Sequence, residues 1–250
     1  MSDIKTQLQH LYLSKWSAFK SEVLKQDGDK DFEHPHLLSV SPEFEDQWNA
    51  ADIRIMVFGI STNGWDTKTK IYNVADEQGI NALMDMYEDF YFKGGNWRYG
   101  NAFWNYFYAF QELLQFNLKK DISLIWNNVY KISPEQVELE QSLFNVSVEE
   151  IKIFKPNIIM VLGTDASDVL HKRIDGNTVD WNEHKKTYLD PDTEKEKLLY
   201  YSVSGEEYPI FKDFLKKVFI TYHPNARGEA GIKMKLMLDE LCRELANFRR

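Results

Sequence analysis

Residues 53–66, IRIMVFGISTNGWD, limit the fold of this chain more than any other stretch. Ile53, Ile55, Met56, Val57 and Phe58 form an apolar run broken only by Arg54. Such a run suits a strand buried on both faces, which is how parallel strands inside an α/β sheet read. It stops at Gly59, and Ser61, Thr62, Asn63 and Gly64 follow. Ligands of open α/β sheets sit outside the carboxyl ends of the strands. These small polar residues therefore stand where a site is expected. A plain strand-to-loop turn asks for the same residue types, and the stretch alone does not separate the two readings.

Further runs of the same kind follow. Residues 122–132, ISLIWNNVYKI, read as a strand interrupted by Asn127 and Asn128, with Pro134 just beyond. Asn is poor in strands, so the pair suggests a strand end or an aimed side chain. Residues 157–163, NIIMVLG, and 218–222, VFITY, read as two more strands, the last ending at His223-Pro224-Asn225. Helical spacing appears over 5–25, where Leu8, Leu11, Tyr12, Lys15, Trp16 and Phe19 mark one face. It recurs over 43–51, 77–92, 102–114, 148–155, 164–172 and 231–248. In 102–114, Phe103, Phe107, Phe110 and Leu114 share a face, for which core packing is the plain reading. The aromatics just before it, Trp97 and Tyr99, have no helical period. Residues 174–208 are polar and turn-rich, with two short strands or a hairpin among them. The alternation predicts an α/β fold: a three-layer α/β/α sandwich around a mainly parallel sheet of about four strands. One domain over 1–250 is expected, with an N-terminal helical extension over roughly residues 1–50.

Composition excludes several classes. A single cysteine, Cys242, rules out an internal disulfide, a CxxC metal site and a Cys-ligated iron–sulfur cluster within the chain. No apolar run approaches the roughly 18 residues of a membrane span, and MSDIKTQLQHLYLSKW lacks the apolar core of a signal peptide. A soluble, cytoplasmic protein without membrane contact is expected. The formal net charge of -9 argues against a strong nonspecific nucleic-acid binder and leaves room for a small basic patch. His34 and His36 flank Pro35, but no third ligand is near in sequence, so no metal is expected.

The polar residues at the strand ends resemble one known family. Gly59-Ile60-Ser61-Thr62, Asn128-Val129-Tyr130-Lys131, Lys155-Pro156 through Gly163 and Ala166, and His223-Pro224-Asn225 resemble, in order, the motifs of the uracil-DNA glycosylase superfamily. Gly100-Asn101-Ala102-Phe103-Trp104 is similar to an element that some branches carry between the first two motifs. The resemblance spans residues 53–228. It implies a uracil-DNA glycosylase-like fold and a DNA repair hydrolase that cleaves the N-glycosidic bond of a damaged or deaminated base, without a cofactor. Its partners would be DNA, or a free base or nucleotide.

The resemblance also implies roles. His223 would stabilise the departing base, whose negative charge grows in an oxocarbenium-like transition state. Asn128 would read the base edge, since its amide offers both donors and an acceptor. Tyr99, Trp97 or Phe103 would stack on the flipped base. Gly59, Ile60, Thr62 and Asn63 would line it. Ser61 falls where the family places a water-orienting carboxylate or amide; Asn63 or Asp66 is the alternative. Asn225, Arg227 and Lys233, with Lys235, would meet DNA. Ser is neutral and short, and Thr62 and Asn225 replace residues of the family pattern. A second reading is therefore a non-catalytic member of the fold that binds nucleic acid, a nucleotide or a protein partner. A third, an unrelated hydrolase built on Gly59-x-Ser61-x-x-Gly64, has the wrong spacing for a nucleophile elbow.

Overall fold

A computed structural model describes residues 3–26, 35–61, 76–94, 102–118, 120–132, 137–174, 181–190, 192–222 and 230–246. For 24, 26, 102, 137, 139 and 230–235 it describes the backbone alone. In chain order the elements are α1 (Ile4–Gln26), α2 (Pro42–Ala50), β1 (Ile53–Gly59), α3 (Asp76–Tyr91), α4 (Ala102–Asn117) and β2 (Ile122–Asn128). They continue with α5 (Val137–Leu143), α6 (Ser147–Phe154), β3 (Ile158–Leu162), α7 (Thr164–Ile174), β4 (Lys185–Leu189), β5 (Glu196–Ser204), β6 (Lys217–Thr221) and α8 (Ala230–Ala246). Short 3-10 turns cover Trp181–His184, Gly205–Glu207 and Pro209–Phe211. None of the described helices is long and apolar enough to cross a membrane.

The α/β class expected from the sequence holds, but the sheet differs. Among the described residues it has 6 strands in the order β2-β1-β3-β6-β5-β4 and is mixed. β1 pairs parallel with β3, and β3 with β6, aligning Val57, Met160 and Phe219 across the sheet. β5 runs antiparallel to both β6 and β4. The expectation of about four mainly parallel strands is corrected by the β4–β5 hairpin, which extends the sheet beyond β6. β5 is half-buried and β4 largely exposed, so neither carries the continuous apolar run that marks β1, β3 and β6. β4 forms one edge, and Lys185 and Lys186 on it discourage a further strand from pairing there. β6 alone joins the β2-β1-β3 group to the β5-β4 pair.

The chain forms two compact units of interleaved segments. The first draws on residues 1–46, 60–98 and 127–154 and is helical. Here α1 is a core element, packed on α3, α5 and α6. Its buried stripe is Ile4, Leu8, Tyr12, Trp16, Phe19 and Val23, at the spacing a helix needs to present one face. Phe144 sits against it, 4.9 Å from the Phe19 ring and 6.1 Å from Trp16. The second unit, residues 47–59, 99–126 and 155–250, carries the sheet. In it α7 packs on β3 and β6, and α8 packs on α4 and β5. Gly163, at φ 110, makes the turn from β3 into α7 in a conformation that favours glycine. Glu244 anchors α8, accepting hydrogen bonds from Tyr200 Oη at 2.7 Å and Lys217 Nζ at 2.9 Å.

Candidate functional site

The second strand ends earlier than its apolar run suggests. β2 stops at Asn128, and Val129 to Ile132 form a bend. The bend is tied to the segment after β1: the Tyr130 N–H donates to the Ile60 carbonyl at 2.8 Å. The structure thus joins two of the predicted segments, Gly59 to Ser61 and Asn128 to Lys131. Gly59 is buried, while Ile60 and Ser61 are half-buried.

Asn127 and Asn128 have different surroundings. The Asn127 Oδ1 accepts the Asn128 N–H at 2.7 Å and also a hydrogen bond from Lys131 Nζ. Its Nδ2 donates to Glu150 Oε2 at 3.0 Å. Lys131 Nζ lies 2.6 Å from the same carboxylate oxygen, and both side chains are 0% exposed. The other Glu150 oxygen accepts from the Tyr12 hydroxyl at 2.7 Å, and the Leu38 N–H donates to that hydroxyl at 3.0 Å. A second buried carboxylate, Glu140, accepts the Lys131 and Ile132 N–H groups at 2.7 and 3.1 Å. The Ser147 hydroxyl donates to the Val129 carbonyl at 3.0 Å. Burial, then the nearby Glu150 carboxylate, pushes the Tyr12 phenol well above its ordinary pKa.

Asn128 stands apart from this network. Its side chain is buried, at 1% exposure, and its Nδ2 meets no hydrogen-bond partner among the described residues. Buried polar groups in folded proteins are almost always paired, so an unmet amide nitrogen at a strand end is unusual.

Other predicted positions are distributed as follows. Phe103 is half-buried on α4, in edge contact with Trp104 at 5.2 Å and Trp126 at 6.3 Å. Thr62, Asn63, Asp66, Trp97, Tyr99, His223, Asn225 and Arg227 lie outside the described residues, as do the side chains of Lys233 and Lys235. Of the HPH pair, His34 also lies outside. His36 is fully buried, its ring edge-on to Tyr87 at 5.2 Å, and its backbone N–H donates to the Lys131 carbonyl at 2.6 Å. Burial and then the Lys131 cation hold its imidazole well below the ordinary histidine pKa. Among the described residues no group of His, Cys, Asp or Glu is arranged to hold a metal ion. His171, on α7, is committed to packing. Its Nδ1–H donates to the Ser167 carbonyl at 2.8 Å, which leaves Nε2 to accept the Tyr208 hydroxyl.

A polar cleft of about 470 Å3 lies elsewhere, at the amino ends of β1, β3 and β6. Two of its polar side chains are already engaged. Asn157 Oδ1 accepts the Arg54 N–H at 2.6 Å, and Lys120 Nζ reaches the Ala246 carbonyl at 3.2 Å.

The sequence reading missed Tyr12, Glu140 and Glu150. A signal for Glu150 was present: Ser147, Glu150, Ile151 and Phe154 share the buried face of α6, so an acid occupies a core position. Compared with known proteins, the sequence matches no protein-family model and no curated relative.

Proposed function

We propose that this chain is a uracil-DNA glycosylase-like protein that holds a damaged or deaminated base against Asn128 and hydrolyses its N-glycosidic bond. The observation that carries this reading is the buried Asn128 amide nitrogen, which has no partner among the described residues. Leaving such a donor unmet is costly, and a carbonyl oxygen on a base edge is a group that answers it. In the reaction, water adds to the sugar C1′ as the bond to the base breaks. The electron pair leaves on the base, and His223 is the donor that meets it. Ser61 stands at the water, and an aromatic from the 97–103 segment stacks on the base. Asn225, Arg227 and Lys233 supply the DNA contacts.

Ser61 also supports the second reading, a non-catalytic member of the fold that binds nucleic acid, a nucleotide or a protein partner. A half-buried neutral hydroxyl is a poor base for activating water. The test is incubation with oligonucleotides carrying uracil, hypoxanthine or a mismatch, followed by alkali. Strand breaks at the uracil are expected, reduced about a hundredfold in Asn128→Ala. Binding of these oligonucleotides with no breaks in any of them would establish the non-catalytic reading instead.

A further inference from the structure

We infer that Lys131 and Glu150 are positioning residues: their buried ion pair sets, through Asn127, the direction in which Asn128 presents its side chain. The role rests on the base-binding reading of Asn128. Stability alone is a weak reason for such a pair, because apolar residues of similar volume often do as well in its place. Its geometric effect is specific. Asn127 has a cation on its amide oxygen and a carboxylate on its amide nitrogen. Turned over, that amide would set donor against donor and acceptor against acceptor, so it keeps one orientation. The same oxygen accepts the Asn128 backbone N–H at 2.7 Å. Successive side chains of a strand point to opposite faces, so seating Asn127 in the network directs Asn128 away from it.

The bend beyond is held by the same helices. α6 supplies Glu150 and α5 supplies Glu140, which takes the N–H groups of Lys131 and Ile132. Lys131 is therefore gripped at its backbone by one buried carboxylate and at its ammonium by the other. Tyr12, from α1, occupies the second oxygen of Glu150. Three helices thus converge on five residues, 127 to 131, and the outcome is one defined setting for Asn128.

The test uses the full chain labelled with 15N. The side-chain NH2 signals of Asn128 are identified by their loss in Asn128→Asp. The double variant Lys131→Met, Glu150→Gln removes both charges at nearly constant volume, so no lone charge is buried. It is expected to fold, with the β3 and β6 backbone signals in place. The Asn128 NH2 pair should shift and exchange with solvent about tenfold faster or more. Uracil excision should fall about tenfold or more in kcat, with KM less affected. A folded double variant whose Asn128 signals and exchange match the wild type overturns the inference, whatever its activity. Altered Asn128 signals, in a protein whose wild type neither excises uracil nor binds the uracil oligonucleotide, uphold the positioning role and retire the base reading. If the double variant does not fold, Tyr12→Phe takes its place, because it deletes a single hydroxyl, the one that donates to Glu150 and accepts the Leu38 N–H. The same signals should then move by less, and unmoved signals overturn the inference.

Discussion

At the scale of single residues, the strand ends show what a buried amide does with and without partners. Asn127 is satisfied by a lysine, a glutamate and its neighbour's backbone. Asn128, one residue on, has its amide nitrogen unmet among the described residues. Two adjacent residues of one type thus differ: one is held by partners, and the other keeps an unmet donor. Under the proposed function, Ser61 is the residue on which catalysis would turn. If the site hydrolyses a base, a carboxylate at 61 should activate water better than a hydroxyl. Ser61→Asp is expected to raise uracil excision by about tenfold or more, measured as initial rate on a uracil oligonucleotide. Equal rates in wild type, Ser61→Asp and Ser61→Ala would show that water is held by another group.

At the scale of elements, the joints of the sheet are tight. Gly205 follows β5, and its N–H donates to the Lys216 carbonyl at 2.8 Å. A methyl group added there would overlap the Leu215 carbonyl oxygen. Because the neighbour is backbone, it cannot step aside cheaply. Gly205→Ala is expected to destabilise the protein by about 1–3 kcal/mol, seen as a lower denaturation midpoint with an unchanged m-value. An unchanged midpoint would mean that the turn relaxes freely. The elements also show how far the sequence could be read. β1, β3 and β6 were legible because parallel strands buried on both faces leave unbroken apolar runs, such as Ile158 to Leu162. β4 and β5 left only a suggestion of a hairpin, because an edge strand facing solvent is written in residues like Lys185, Lys186 and Thr187. α5 was missed altogether. It has 7 residues, too few for a clear helical period. The polar segment Asn128 to Lys131 stood out in the sequence, but the carboxylates that hold it did not. They lie 8 to 23 residues away from their partners, and only tertiary packing brings them together.

At the scale of the whole molecule, buried ionisable groups tie stability to pH. His36 is fully buried with its ring edge-on to Tyr87, and burial, then the Lys131 cation, hold its pKa well below 6.5. The folded protein therefore keeps it neutral where the unfolded chain takes up a proton. Its contribution is complete above pH 6.5 and is lost as pH falls through that value toward the depressed folded pKa. The loss reaches at most about 1.4 kcal/mol per pH unit for one proton. Denaturant midpoints between about pH 7 and pH 5.5 should fall for the wild type and fall less for His36→Leu. Parallel slopes for the two proteins would place the acid sensitivity on other groups.

The position of β6 has a consequence for synthesis on the ribosome. Among the described strands it is the last in the sequence, yet it lies in the interior of the sheet, between β3 and β5. Until it emerges, a growing chain holds two incomplete sheets, β2-β1-β3 and β5-β4, each with an open edge toward the missing strand. β1 waits as well, since Ile55 pairs with Ile158 across 103 residues of sequence. At about 5–20 residues per second, that separation takes roughly 5–20 s to translate. A chain cut short before Lys217 would keep both open edges permanently, so nascent and truncated forms of this protein are natural clients for chaperones that shield unpaired strands.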